Sequence, residues 1–114
     1  MKVMFLEDDE RVARGLVRLV SAMGHEAVHV RTVEEGVAQL KGAGFDVVVA
    51  DLGLTQGQTG LDLLKWVAQE CPDVRRVLTS GAVRPSGFVE DPPRQIFLNK
   101  PFGRLELNRL LAPH

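Results

Sequence analysis

Short apolar runs alternate with stretches of helical periodicity along most of the chain. The runs are too short for helices and rich in β-branched residues, which is typical of strands that are buried on both faces. Five strands are therefore predicted, over Val3–Leu6, Ala27–Val30, Val47–Ala50, Arg75–Thr79 and Ile96–Leu98.

Apolar residues at helical spacing predict helices after the first two strands. The inner face of the first helix is expected to carry five residues: Val12, Leu16, Leu19, Val20 and Met23. Gly24 follows as a stop signal. The second helix opens with the capping-box sequence Thr32–Glu35, runs through Leu40 and closes at Gly42 or Gly44.

A third helix is predicted to begin at the cap sequence Thr59–Asp62 and to end before Pro72. Its inner face is expected to consist of Leu61, Leu64, Val67 and Ala68. The last helix is predicted over Arg104–Leu111, and the residues that it buries are expected to be Leu107, Leu110 and Leu111.

The segment from Ala82 to Gln95 departs from this alternation. Proline and glycine residues break it up, so at most one or two turns of helix fit there: Pro85, Gly87, Pro92 and Pro93. The fold class is therefore predicted as α/β, a doubly wound five-stranded parallel sheet whose fourth helix is short or disordered. Such sheets carry functional groups beyond the carboxyl ends of their strands.

Composition narrows the function classes. The chain of 114 residues is 45% hydrophobic, which fits a single domain over residues 1–114. A formal net charge of -1 gives no electrostatic basis for binding nucleic acid. Cys71 is the single cysteine and cannot form an internal disulfide, which favours a reducing cytoplasm. No apolar run approaches the ~18 residues of a membrane span, so no membrane association is expected.

Polar residues follow four of the five predicted strands. Glu7–Glu10 follow the first, Asp51 the third, Ser80 the fourth and Lys100 the fifth. If these strands are neighbours, carboxylates, a hydroxyl and an ammonium group meet in one pocket. Carboxylates that lie so close must hold protons or bind a cation, and an all-oxygen set suits Mg²⁺.

This pocket suits phosphoryl transfer to Asp51. A metal ion there would neutralise an arriving phosphoryl group, Lys100 would supply a point charge and Ser80 a hydrogen bond. Asp51 would act as the nucleophile and become an aspartyl phosphate. Taken singly, each residue has an ordinary reading: Asp9 as the N-cap of the first helix, Asp51 as a loop cap, and Lys100 as a solvated lysine. Only the joint pattern is specific.

With these residues in place, the chain resembles the receiver domains of two-component response regulators. Four stretches carry the resemblance: Phe5–Glu10, Val48–Leu52, Leu78–Gly81 and Phe97–Phe102. It implies a (βα)₅ flavodoxin-like fold with strand order 2-1-3-4-5. It also implies that a histidine kinase or histidine phosphotransferase transfers a phosphoryl group to this chain, which then acts on a downstream protein.

The resemblance also implies a role for each matching residue in this sequence. Asp8 would bind Mg²⁺ directly and Glu7 through water, with Asp9 as the fallback if the register is off by one. Gly53 would offer its backbone carbonyl to the metal. Of the two hydroxyl residues that end the fourth strand, Thr79 and Ser80, the latter fits the switch position better.

Phe97, three residues before Lys100, matches the aromatic switch position of the family. Phosphorylation would draw Ser80 toward the phosphoryl oxygens and let Phe97 turn inward. The sequence departs from the family pattern at Thr55, where a proline is common, and at Gly60, which comes one residue late. The shortened fourth helix puts the usual partner-binding surface in doubt.

Other functions fit less well. A flavodoxin-like cofactor binder would need a phosphate loop where Glu7–Asp9 stand, and a dinucleotide binder needs a glycine fingerprint there. A phosphatase with an aspartyl intermediate would want a second aspartate at position 53, which is Gly53. The remaining rival is a pseudo-receiver, a protein-binding module that signals without phosphate. His25 and His29 are interpreted as surface or strand residues and not as ligands.

Two further expectations concern the chain as a regulator. No output domain follows His114, so the chain is expected to be either a single-domain regulator or a fragment of a larger protein, and Met1 next to the first strand favours the former. Gly53 and Ala82 flank the acceptor and offer no side chain that could orient or exclude water. The lifetime of a phosphoryl group on Asp51 is therefore expected to depend on solvent access alone.

Overall fold

The computed structural model describes residues 1–42, 44–53 and 59–112. Its strands are β1 (Lys2–Leu6), β2 (Glu26–Val30), β3 (Val47–Asp51), β4 (Arg75–Ser80) and β5 (Gln95–Asn99). Its helices are α1 (Glu10–Ala22), α2 (Val33–Gly42), α3 (Gly60–Glu70) and α4 (Arg104–Leu111). Every strand and helix that the sequence predicts is present.

The five strands form one parallel sheet in the order β2-β1-β3-β4-β5, as expected. The chain moves outward in one direction from β1 to β2 and then crosses to β3 on the other side. This reversal opens a crevice at the carboxyl ends of β1 and β3, which is where open α/β sheets carry their sites.

Helices cover both faces of the sheet, which explains why its central strands are apolar throughout. One core cluster packs α2 and α3 against the sheet and includes Leu40, Leu63 and Leu78. A second cluster, on the other face, packs α1 and α4 and includes Val20 and Leu107. All five residues of β3 are buried, including Asp51 at its carboxyl end.

No helix lies between β4 and β5, although residues 81–94 are all described. The expectation that the fourth helix is short or disordered agrees with this, and the described residues form four helices in place of five. Phe88 compensates in part, because its side chain is buried in the core cluster on the α2 and α3 face. Its N–H bonds to the carbonyl of Pro85 in a turn.

The buried faces of helices α1 and α3 differ in part from the prediction. In α1, Ala13 is buried and Val12 is 39% exposed. In α3, the buried residues are Gly60, Leu63, Leu64 and Val67, whereas Leu61 is only half-buried and Ala68 is exposed. The other residues expected on these faces do pack in the core clusters: Leu16, Leu19, Val20 and Met23 of α1, and Leu64 and Val67 of α3. Leu107, Leu110 and Leu111 of α4 are buried as predicted.

Local signals in the sequence fix the helix ends. Gly24 follows α1 with a φ of 89°, a left-handed conformation that favours glycine. Before α2, the Thr32 hydroxyl accepts the N–H of Glu35 at 3.1 Å. Before α3, the Asp62 carboxylate accepts the N–H of Thr59 at 2.7 Å. Across the described residues, no helix has the length and apolar character needed to cross a membrane.

Candidate phosphoacceptor site

The turn from β1 to α1 carries the acidic residues of the site. Glu7 is buried, Asp8 is half-buried and Asp9 is exposed. Asp9 caps α1, because its side chain accepts the N–H groups of Arg11 and Val12. The ordinary reading of Asp9 as an N-cap is therefore confirmed.

Asp51 ends β3 next to this turn. Its side chain is 9% exposed, and its Oδ1 accepts the N–H of Gly53 at 3.1 Å. Its neighbours on β1 and β4 hold the strand end in place, since Leu6 pairs with Ala50 and Thr79 pairs with Asp51 in the sheet register. Asp51 is thus a buried carboxylate at a fixed position with one face toward the crevice.

Lys100 joins the two ends of the site. Its Nζ lies 3.1 Å from Oε2 of Glu7 and 3.2 Å from Oδ2 of Asp51. The residue follows β5, and its backbone N–H bonds to the carbonyl of Ser80 at 2.9 Å. The convergence that the sequence predicts for the ends of β1, β3 and β5 is therefore present in the structure.

Burial and charge shift the protonation of this group. Burial raises the pKa of Glu7, and the negative charge of Asp51 raises it further. The hydrogen bonds from the Asp9 N–H and the Lys100 ammonium lower this pKa by less, so it lies above its ordinary value. Burial lowers the pKa of Lys100, but the hydrogen bond to Glu7 and the charges of Asp51 and Glu7 outweigh it and raise that pKa. Lys100 is therefore a permanent cation in the site.

Three carboxylates could hold a metal ion here. One oxygen each from Glu7, Asp8 and Asp51 lie within 4.8 Å of one another. Direct ligands of Mg²⁺ lie at about 2.0–2.1 Å, so two of them are at most about 4.2 Å apart. The spread is therefore compatible with two direct carboxylates and a third that reaches the ion through water. Three acids and one ammonium leave net negative charge, so the residues fit a hard divalent cation.

Glu7 is held by two contacts in the site, and its role as the water-mediated ligand stays a prediction. Both of its oxygens are engaged, Oε1 by the N–H of Asp9 at 3.1 Å and Oε2 by Lys100. Asp9 is not part of the carboxylate cluster, because its side chain turns to the helix backbone. The fallback assignment of Asp9 is therefore not supported by its position.

The two hydroxyl residues at the end of β4 point in different directions. Thr79 is 2% exposed, and its hydroxyl lies 3.5 Å from the carbonyl of Ala50, inside the sheet. The Ser80 oxygen accepts the N–H of Ala82 at 3.0 Å, at the strand end. Both residues are buried at the end of β4, so the switch role of Ser80 stays a prediction.

Phe97 lies on β5, half-buried against the core cluster that contains Leu78 and Phe88. A cavity of about 640 Å³ adjoins it, lined by Gly81, Ala82, Val83, Arg84, Glu90, Phe97 and Asn99. Its lining comes from β5 and from the segment between β4 and β5, where the described structure has no helix. The Phe97 ring therefore borders an open cavity, and the switch role of this residue stays a prediction.

Gly53 and Gly60, which both follow Asp51, have different surroundings. The contact that the structure gives Gly53 is through its N–H, so the metal role of its carbonyl stays a prediction. A Cβ on Gly60 would lie 2.4 Å from the Asp51 carbonyl oxygen, which means that α3 packs directly on the backbone of Asp51. Thr55, where the sequence departs from the family pattern, lies outside the described residues.

Sequence reasoning missed two contacts near the site. His29 on β2 lies with its Nε2 2.7 Å from the carbonyl oxygen of Glu7. The Glu90 carboxylate accepts the N–H of Phe97 at 2.9 Å. His29 could have been noticed, because it stands one residue before the end of a strand predicted beside the first. Nothing in the pattern indicates Glu90, since its place depends on the path of an irregular loop.

Comparison with known proteins agrees with this geometry. A curated relative, the swarming motility regulation protein RssB of Serratia marcescens, is 28% identical over 109 residues. The alignment covers 94% of this chain but 49% of RssB, so the chain spans about half the length of that relative.

Solved structures with the same fold include a receiver domain protein and a chemotaxis protein. The CheY-like receiver domain protein of Methanospirillum hungatei has a TM-score of 0.84 at 19% identity, covering 95% of this chain and 87% of its own. CheY4 of Vibrio cholerae has a TM-score of 0.83 at 21% identity, with 96% and 94% covered. A chain from the crystal structure of histidine kinase ThkA in complex with response regulator TrrA has a TM-score of 0.77 at 16% identity, with 97% and 98% covered.

The family model of the response regulator receiver domain matches residues 3–112, nearly the whole chain. The residues that this model spans include the acidic turn, the buried aspartate and the lysine that bridges them. The chain belongs to the response regulator receiver domain family of two-component signalling.

Proposed function

We propose that this chain accepts a phosphoryl group on Asp51, with Mg²⁺ held by Asp8, Asp51 and, through water, Glu7. The observation that carries the proposal is the position of Lys100 Nζ, within 3.2 Å of both Asp51 and Glu7. A lysine so placed can neutralise a phosphoryl oxygen next to the acceptor. Mg²⁺ bound at the carboxylates would offset the remaining negative charge that an incoming phosphate meets.

The reaction is a transfer between two nucleophiles. An Asp51 carboxylate oxygen forms a bond to phosphorus, while the bond between phosphorus and the imidazole nitrogen of a phosphohistidine donor breaks. The imidazole keeps the electron pair and takes up a proton from solvent. Lys100 stays protonated throughout, and Ser80 donates a hydrogen bond to the new phosphoryl group after leaving the N–H of Ala82.

A histidine kinase or histidine phosphotransferase is the proposed donor, and the cytoplasm is the proposed location. One structural neighbour is a chain from a complex of a histidine kinase with a response regulator, which supports a donor of this kind. Residues 1–114 are taken as one receiver domain. The proposed output is a change at Ser80 and Phe97 that a downstream protein reads.

Incubation with acetyl phosphate and Mg²⁺ tests the acceptor without a kinase. We expect the intact mass of the wild type to increase by one phosphoryl group, and no increase for Asp51→Asn. Lys100→Ala should react much more slowly. A phosphoryl group on Asp51→Asn would show that another residue is the acceptor.

A second candidate function is a pseudo-receiver that binds a partner without phosphate. The missing helix between β4 and β5 favours it, because the surface beside that helix is altered. The same mass measurement separates the two candidates. A wild type that gains no phosphoryl group at saturating acetyl phosphate and Mg²⁺ would favour the pseudo-receiver.

The lifetime of the phosphoryl group is proposed to depend on Gly53 and Ala82. Both residues are exposed, and a Cβ on Gly53 would lie 3.6 Å from Oδ1 of Asp51, an ordinary contact distance. Gly53→Asn and Ala82→Arg should therefore fold normally and change the access of water to the acyl phosphate. We expect decay rates that differ from the wild type, measured by mass after the donor is removed. Equal decay in both variants would contradict control by solvent access.

A further inference from the structure

His29 touches the acidic turn from outside the carboxylate cluster. It lies on β2 opposite Phe5 of β1, and its ring is half-buried beneath α1. Ala13, Arg14, Val17 and Arg18 of α1 line a cavity of about 420 Å³ together with this ring. From there Nε2 lies 2.7 Å from the carbonyl oxygen of Glu7.

The direction of this hydrogen bond follows from its partners. A carbonyl oxygen can only accept, so the His29 ring carries a proton on Nε2 and donates it. The carbonyl belongs to the peptide group between Glu7 and Asp8. The orientation of that peptide plane sets the backbone angles on either side of it, and thereby the directions of both acidic side chains.

The neighbouring backbone groups are held as well. The N–H of Glu7 bonds to the carbonyl of Val30 at 3.1 Å, and the N–H of Asp9 bonds to Oε1 of Glu7 at 3.1 Å. Of these three tethers, the one from His29 is the one that a side-chain substitution can remove without altering an acidic residue.

We propose that His29 is a positioning residue for the cation site, acting by fixing the peptide between Glu7 and Asp8. Three carboxylates within 4.8 Å repel one another before a cation arrives, and a turn that is free to open would separate them. The tether keeps them close in advance, which reduces the ordering that binding requires. This inference rests on the cation site of the proposed function.

Direct titration with Mg²⁺ by calorimetry, without any phosphoryl donor, tests the inference. His29→Phe fills the space of the ring but removes the donor, and it should weaken Mg²⁺ binding by roughly tenfold to a hundredfold, the usual range for a second-layer contact. His29→Gln can place an amide N–H near the position of Nε2 and should restore most of the affinity. His25→Ala is the matched control, because the contact of His25 is with the Met1 amino group and not with the acidic turn.

The possible outcomes test the role of His29 separately from the existence of the cation site. Weakened binding in His29→Phe with recovery in His29→Gln supports it, and urea unfolding of each variant shows that the fold is intact. Wild-type affinity in His29→Phe, together with loss of binding in Asp8→Asn, overturns the inference and leaves the cation site standing. Wild-type affinity in Asp8→Asn overturns the proposed cation site and this inference with it.

Discussion

Glu7 has a buried carboxyl group whose pKa is raised above 4.5, because the effect of burial outweighs that of its hydrogen bonds. Such a group binds a proton more readily in the folded chain than in the unfolded chain. The folded state therefore loses stability as the pH rises from 4.5 through the raised value. Glu7→Gln removes the charge and keeps an acceptor for the N–H of Asp9.

In the absence of divalent ions, we expect Glu7→Gln to have a larger free energy of unfolding than the wild type at pH 7. The difference should shrink as the pH falls and vanish below 4.5, where Glu7 is protonated in both states. Urea unfolding with a chelator, repeated across this pH range, measures it. A less stable Glu7→Gln at pH 7 would mean that attraction to Lys100 outweighs burial.

Gly60 shows how tightly the acceptor's backbone is packed. A Cβ at this position would lie 2.4 Å from the carbonyl oxygen of Asp51 and 2.8 Å from its carbonyl carbon. Because both atoms are backbone, relief requires α3 or the end of β3 to move. We expect Gly60→Ala to lower the free energy of unfolding by about 1–3 kcal/mol and to slow phosphorylation by acetyl phosphate.

Gly15 is the matched control for this substitution. It lies in α1, and a Cβ there would meet no atom within 4 Å. Gly15→Ala should stabilise the protein by up to about 1 kcal/mol through helix propensity and leave the phosphorylation rate unchanged. A Gly60→Ala variant that is as stable and as reactive as Gly15→Ala would contradict the close packing of α3 on Asp51.

At the scale of elements, the loop between β4 and β5 replaces a helix and closes an open sheet edge. Asp91 pairs with Gln95 through two backbone hydrogen bonds, of 2.8 and 2.9 Å. Glu90 accepts the outward N–H of Phe97 at 2.9 Å. An edge strand with free N–H groups invites pairing with other chains, and these contacts remove part of that edge.

Glu90→Ala should release the Phe97 N–H. We expect faster hydrogen exchange at Phe97 and a loss of about 1 kcal/mol in the free energy of unfolding. Glu90→Gln keeps an acceptor oxygen and should retain most of the protection, although it loses the exposed ion pair with Arg84 at 3.9 Å. Amide exchange followed by NMR measures both variants. Equal protection in Glu90→Ala and the wild type would contradict the role of the carboxylate.

The elements also show how far the sequence could predict this structure. Strand ends were predictable, because a buried apolar run has to stop where polar residues begin. The inner face of α3 was predictable only in part: Leu64 and Val67 are buried as expected, and Leu63 is buried where Ala68 was expected. Gly60 was not predictable as a buried residue, because it contributes no apolar side chain to the pattern and yet lies against the backbone of Asp51.

The candidate site also combines residues whose positions the sequence predicts with contacts that it does not predict. Glu7, Asp51 and Lys100 could be brought together from strand order alone, since parallel strands end at one edge of the sheet. The position of His29 near the end of a strand beside the first could also be expected, but its contact with the Glu7 carbonyl could not. Glu90 could not be placed at all, because it acts through the backbone of another segment and belongs to no motif. Contacts between a side chain and a distant backbone group depend on the exact path of the chain, which periodicity does not encode.

At the scale of the whole molecule, the reversal of strand order between β1 and β3 gathers the negative charge at one end of the sheet. Glu7, Asp8 and Asp51 lie there with Lys100 as the ammonium between them. The folded chain thus holds together carboxylates that the unfolded chain leaves apart. A cation that binds only the folded arrangement must stabilise the entire fold by mass action.

We therefore expect the free energy of unfolding to rise with the logarithm of Mg²⁺ concentration, by about 2.7 kcal/mol at one hundred times the dissociation constant. Asp8→Asn and Asp51→Asn should lose most of this dependence. Asp9→Asn should keep it, because Asp9 lies outside the cluster and asparagine also caps a helix. Urea unfolding over a Mg²⁺ series at constant ionic strength measures all four proteins. If Asp9→Asn loses the dependence and Asp8→Asn keeps it, the ligand is one residue further along the turn.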